Sequence, residues 1–474
     1  MKQMPRDKGF PSCGGSVWRW IIGAACVLGV LFAFLMRWPH EDLNGKSSSS
    51  PVSSTRAQAS GPGSSTLERR SRTFHHDWPA EGASTAEEIV ARKLAQFGKS
   101  RHKLVRAIAK HFTVDVPADV ERFFAAVEAG NWDEIDAAHA ALLEPRQGLN
   151  QPRSADLHQI WRAIQETWGI AREAHNWPAQ TLLNYGDAVL GSLKPGMIYV
   201  GGTDPGCFIP TFLNETADGE QHITLTQNAL ADGTYLDYLN FLYGDRMQTL
   251  THEDSERASQ AYLADAQTRL QHDQQFPNEP KQLRPGEDVH MTDGRVEVSG
   301  QVAVMAINER LFQMLMDKNP DASFAMEESY PFRSVYSNAV PLGPIMELRA
   351  DDSQNAWSAD RAAQSVEYWS ATAQQLLADP NASDNSDPRK AYSKMICAQA
   401  GLLLDHNYPS EAEQAFRMAT DLCPSSPEAV FRYVSLLADQ KRFADAIPVV
   451  ERAVQADAEN QQLHDLLNQV RSLK

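Results

Sequence analysis

Residues 197–210, MIYVGGTDPGCFIP, constrain the fold more than any other stretch of the chain. A short apolar run stops at two glycines and an acidic turn, and a new segment starts directly after it. This is the pattern of a backbone that leaves a buried strand, exposes its N–H groups and enters a helix. Ligands are commonly met at such turns in α/β domains.

The hydrophobic period on either side supports that reading. After the Lys194-Pro195-Gly196 turn, residues 197–200 form one apolar run and 223–226 a β-branched one; 324–326 and 345–348 each follow a Pro-containing turn. Helical patterns lie between them at 234–243 and 302–318, the second stopped by Asn319-Pro320. Alternating strands and helices predict an α/β, Rossmann-like domain over 181–350, with a mostly parallel sheet covered on both faces. Residues 254–294 fit less well, as a polar helix to about Gln275 and then a Pro-containing insertion or lid.

Upstream, residues 84–180 read as a helical lead-in. Ser84-Thr85 caps a first helix in which Ile89, Leu94, Phe97, Leu104, Ile108 and Phe112 recur at helical spacing. Further helices are expected at 117–130, 133–143 and 155–175, their Trp and Phe stripes serving as core and not as cofactor contacts. Downstream, 358–474 is an all-α region. Ala412, Phe416, Ala419 and Pro424 are matched thirty-four positions later by Ala446, Val450, Ala453 and Ala458, the spacing of a tetratricopeptide (TPR) repeat.

The N-terminus predicts a membrane anchor. A basic cytoplasmic tail over 1–16 precedes a transmembrane helix over 17–38, with Trp18, Trp20 and Trp38 at its two ends. Arg37-Trp38-Pro39-His40 offers no small-residue cleavage site, which argues against a removed signal peptide. The positive-inside rule then places the bulk of the chain outside the cytoplasm, as a single-pass inner-membrane protein. Residues 39–83 are a disordered Ser/Pro/Gly-rich linker, where His75-His76-Asp77 reads as a solvated patch more readily than as a metal site.

A formal charge of -17 over 474 residues repels phosphate backbones, and no basic patch with interleaved aromatics offsets it, so nucleic acid is not an expected partner. The five cysteines show no CxxC spacing; a Cys397–Cys423 bridge stays open, with buried free thiols preferred.

Three loops are expected at one edge of the sheet: Gly201, Gly202, Thr203, Asp204, Pro205 and Gly206; Asn228 with Asp232; and Glu327, Glu328 and Ser329. The glycines permit close backbone approach, Asp204 is placed to cap the next helix, and that helix N-terminus would favour an anion. Convergent Asp204, Asp232 and Glu327 or Glu328 would suit Mg²⁺, Mn²⁺ or sugar hydroxyls. The plainer alternative is that Asp204 and Ser329 cap helices and the glutamates are solvated. Cys207 is expected to be a packing residue, since no histidine partners it. GxSxG, HExxH, Walker A and DxD motifs are all absent and the glycine pair is not a GxGxxG, so a dinucleotide is weakly supported and the cofactor stays unknown, none being one of the readings.

At GGTDPGCFIPT, QNALADGTYLDYLNFLYGD and FAMEESYPF the chain resembles the soluble extramembrane domain of bacterial multi-spanning proteins of unknown function. Those proteins are related to membrane-embedded glycosyltransferases of the C superfamily and often end in TPR repeats. The resemblance covers about residues 87–348. It implies a cell-envelope setting but not transferase activity, which in the relatives rests on a membrane bundle that this chain lacks. Where those relatives often carry a basic residue this chain has Cys207, which weakens the case for an anionic ligand. The expectation is a membrane-anchored, extracytoplasmic module that binds a protein partner through its TPR region, or an envelope ligand. The alternative is a glycan-directed transferase or hydrolase, or an inactive relative of one, with carboxylates at the strand ends.

Overall fold

Among the described residues the first helix is entered through a reciprocal cap. The Thr85 hydroxyl accepts from the Glu88 N–H at 3.2 Å, and the Glu88 carboxylate accepts from the Thr85 N–H at 3.0 Å. The computed structural model describes residues 84–143, 155–284, 286–292, 295–327, 332, 334–335, 339–348, 357–379 and 386–473. Five helices come first: α1 (Ala86–Phe112), α2 (Ala118–Ala129), α3 (Trp132–Leu143), α4 (Ala155–Asn176) and α5 (Ala179–Leu190). α1 packs on α2, α4 and α5 through a stripe that includes Leu94, Phe97, Val105 and Ile108.

The sheet follows: β1 (Ile198–Gly201), α6 (Asp204–Glu215), β2 (Thr224–Thr226), α7 (Gly233–Tyr243), α8 (His252–Gln275), a hairpin of β3 (Asp288–Thr292) and β4 (Arg295–Ser299), α9 (Gly300–Lys318), β5 (Phe324–Met326), β6 (Ala339–Leu342) and β7 (Ile345–Leu348). Five strands pair in the order β2-β1-β5-β7-β6. β1 runs parallel to β2 and β5, with Tyr199 opposite Thr224 and Ala325, whereas β7 is antiparallel to both β5 and β6.

This overturns the expected mostly parallel, Rossmann-like sheet. The sheet is small and mixed, and it sits in a predominantly helical chain. The cause is the turn at Gly343, whose φ of 59° closes β6 onto β7 with Leu342 opposite Ile345, so the two strands must run in opposite senses. The expected transmembrane helix over 17–38, and the inner-membrane location drawn from it, fall outside the described residues. Among the described residues no helix is long and apolar enough to cross a membrane.

Side-chain alternation sets what covers each face of the sheet. The Tyr199 hydroxyl donates to the Gly206 carbonyl at 2.8 Å, which puts α6 on the face shared by Tyr199, Ala325 and Glu327. Phe324 lies on the other face and meets Phe312 of α9 edge-on, ring centroids 5.8 Å apart.

The described residues from 357 onward form six helices: α10 (Ala359–Ala378), α11 (Ser386–Asp405), α12 (Pro409–Leu422), α13 (Pro427–Asp439), α14 (Phe443–Ala456) and α15 (Gln461–Ser472). The thirty-four-residue offset recurs in their backbone. Asn407 and Lys441 turn with φ of 65° and 59°, and Cys423 and Asp457 end helices with φ of -139° and -142°. Ala412, Ala419, Ala446 and Ala453 are fully buried where helices approach. Cys207, Cys397 and Cys423 are buried free thiols.

Gln399 of α11 fastens this region to the sheet. Its side chain accepts from Ser365 Oγ (2.7 Å) and Trp369 Nε1 (2.9 Å), and donates to the carbonyls of Gly343 (2.8 Å) and Ile345 (3.1 Å). A buried amide satisfied on both ends orients two layers in a way that apolar contact alone does not.

Candidate functional site

β2, β1 and β5 are parallel neighbours, so the loops that follow them emerge at one edge. Glu327, the residue after β5, turns its carboxylate under the first turn of α6. Oε1 accepts from the Tyr185 hydroxyl at 2.7 Å and the Thr203 hydroxyl at 2.8 Å; Oε2 accepts from the Gly202 and Thr203 N–H groups, both at 3.1 Å. The residue is 1% exposed. A side chain of this chain therefore supplies the anion that the helix N-terminus attracts.

The two glycines that matter here are close-approach residues. A Cβ on Gly206 would lie 1.6 Å from Glu327 Oε2, and one on Gly201 would lie 2.5 Å from the Gly206 carbonyl oxygen. Neither has a positive φ. The cap is Thr203, whose hydroxyl accepts from the Gly206 N–H at 3.1 Å. Asp204, expected in that role, is the first helical residue and points outward to Arg172 Nη2 at 2.7 Å; Arg172 also holds Glu173 at 2.9 Å.

The remaining expected site residues do not converge. Asp232 caps α7, accepting from the Thr234 N–H at 3.0 Å and its hydroxyl at 2.8 Å. Asn228 is exposed, and its carbonyl accepts from Asn308 Nδ2 at 3.3 Å. Glu328 and Ser329 lie outside the described residues. Among the described residues no three His, Cys, Asp or Glu side chains gather as a metal group. Burial pushes the Cys207 thiol well above its ordinary value, with Glu327 and Asp204 adding to the shift, so it is held as a thiol.

Two groups escaped the reading of the sequence. Tyr185, on α5, is fully buried; burial and the neighbouring Glu327 push its hydroxyl well up, so it stays a donor. Arg101, on α1, is 2% exposed. It reaches Glu166 Oε2 at 2.8 Å, Glu215 and the Tyr238 hydroxyl at 2.6 Å, and that hydroxyl donates in turn to Glu166 at 2.8 Å. The signal for Arg101 was present in the sequence: it falls four residues from Phe97 and four from Val105, on the apolar stripe of the helix.

One guanidinium facing two carboxylates leaves the cluster short of positive charge. Burial pushes the Glu215 carboxyl from 4.5 up to about 7, with Arg101 opposing and Glu166 adding. A carboxyl whose folded pKa lies above its unfolded value holds a proton that the unfolded chain has released. Its stabilising contribution is therefore complete below about pH 4.5 and is lost as pH rises through about 7. Urea unfolding of wild type is expected to show this loss, up to about 3 kcal/mol. Glu215→Gln should flatten the curve between those limits, and an unchanged slope would refute the assignment.

No family model matches the chain, and neither a curated protein nor a solved structure matches it.

Proposed function

We propose that this chain is an interaction module, with a TPR-like helical region that binds a partner protein and a mixed α/β body that supports it. The observation that carries the reading is an open groove of about 600 Å³ on α10 and α12. Ala363, Val366, Ser370, Ala371, Gln374 and Glu411 are among the residues lining it. Small side chains on this surface let a partner helix come close.

The glycan-directed transferase or hydrolase reading needs a carboxylate pair free to act. What weighs against it is that Glu327 is saturated with donors inside the core while Asp204 is paired with Arg172.

The test is site-specific photo-crosslinking in the host cell, with a benzophenone side chain placed at Ser370 or, as control, at Asn468 of α15 in the full-length chain. A discrete protein adduct is expected from Ser370 only, and it should be lost when Ala371→Arg blocks the groove. Equal adducts from both positions, or none, would overturn the proposal.

A further inference from the structure

Two arginines of α14 reach across to carboxylates of α12. Arg442 meets Glu413 at 2.7 Å and Asp445 of its own helix at 2.8 Å, and Arg452 meets Asp421 at 2.8 Å. One repeat earlier, where α12 packs on α10, the same places are not basic. Thirty-four positions before Arg442 and Arg452 the chain carries Tyr408 and Met418, so neither arginine has a counterpart.

The difference leaves two carboxylates unanswered. Asp445 is held by Arg442; its counterpart thirty-four positions earlier is Glu411, which has Tyr408 where Asp445 has the arginine. Glu411 of α12 and Glu367 of α10 line the same groove from different helices. Among the described residues no cation pairs with either of them. Like charges in one groove repel, and a cation seated between them removes the repulsion.

The rest of the lining fits a helix. Ala363, Glu367, Ser370 and Gln374 recur at steps of four, three and four, roughly 16 Å along one wall. α12 supplies the other wall with Glu411 and Gln414. The small side chains of Ala363, Ser370 and Ala371 leave room for a helix backbone to approach. An anionic bilayer or a nucleic acid would meet both carboxylates and the overall charge of -17, whereas lysine or arginine on a partner helix is attracted by them.

We propose that the occupant of the α10–α12 groove is a basic amphipathic helix of a partner protein, whose arginine or lysine side chains meet Glu367 and Glu411 as Arg442 and Arg452 meet carboxylates in the next repeat. This rests on the groove reading above and adds the chemistry of the partner. The measurement is the anisotropy of a fluorescein-labelled helical peptide of alanine and leucine with arginine at every fourth place, added to the full-length chain at low and high salt. A peptide with glutamate at those places is its counterpart. Salt-sensitive binding of the arginine peptide is expected. Glu367→Lys with Glu411→Lys should weaken it roughly tenfold or more and turn the preference to the glutamate peptide, whereas Asp465→Lys on α15 should leave it unchanged. Circular dichroism verifies the fold of each variant. The proposal is overturned if the arginine peptide does not bind, if wild type binds the glutamate peptide equally, or if charge reversal leaves binding unchanged. Ala371→Trp, a neutral block, separates this inference from the groove itself. Binding lost with Ala371→Trp but not with charge reversal would sink the basic partner and keep the groove, and binding untouched by either would sink both.

Discussion

Arg101→Met is expected to cost about 4 kcal/mol of unfolding free energy, a large share of what holds a domain folded. The guanidinium lies between Glu166 and Glu215 among the α1, α4, α6 and α7 helices, with its Cζ 4.9 Å from the Phe97 ring centroid. Methionine keeps the volume but strands two carboxylates and the Tyr238 hydroxyl in low dielectric. The carboxylates would then take up protons instead of staying charged. Urea unfolding near neutral pH should show the loss, and lowering the pH should recover part of it as Glu215 is neutralised. A further substitution of both glutamates by apolar residues should restore much of the stability, because a buried ion cluster is often replaceable as a whole but not by one partner. A loss below about 1 kcal/mol for Arg101→Met would mean that water reaches the cluster.

Glu327→Leu is expected to be comparably damaging, at roughly 3–5 kcal/mol, because it removes a charged acceptor from the Gly202 and Thr203 N–H groups and the Tyr185 hydroxyl. Those donors are fixed by the β1–α6 turn and by α5, and nothing else in the first turn of α6 replaces the carboxylate. Asp204→Ala touches an exposed ion pair and should cost less than about 1 kcal/mol. The two carboxylates that the sequence grouped together thus separate by energy. Differential scanning fluorimetry of both variants would show the difference.

Much of this was readable locally. Apolar runs bounded by turns marked the positions of β1, β2, β5 and β7, and the alanine spacing marked α12 and α14. Pairing direction was not readable, because it depends on β6. The stretch 339–342, Ala-Val-Pro-Leu, is short and contains a proline, so it does not stand out as a strand, yet its tight link to β7 makes that pair antiparallel. The site was legible in part. Glu327 was singled out by its place after a buried strand, but its partner Tyr185 lies 142 residues away on another helix, beyond any local pattern. Asp204 was misassigned because Thr203, one residue earlier, is also a good cap and takes the position.

We propose that the strand-end turn is completed by its own carboxylate and that binding belongs to the helical surfaces. The most direct test is urea unfolding of Glu327→Gln, which keeps the shape and removes the charge. A structural carboxylate held by three residues predicts a loss of roughly 2–4 kcal/mol, since the amide offers one acceptor oxygen to donors that now face its NH₂ group. A carboxylate kept for chemistry is typically held at a cost to stability, and its neutral isostere then leaves the fold equally or more stable. An unchanged or raised unfolding free energy for Glu327→Gln would contradict the account.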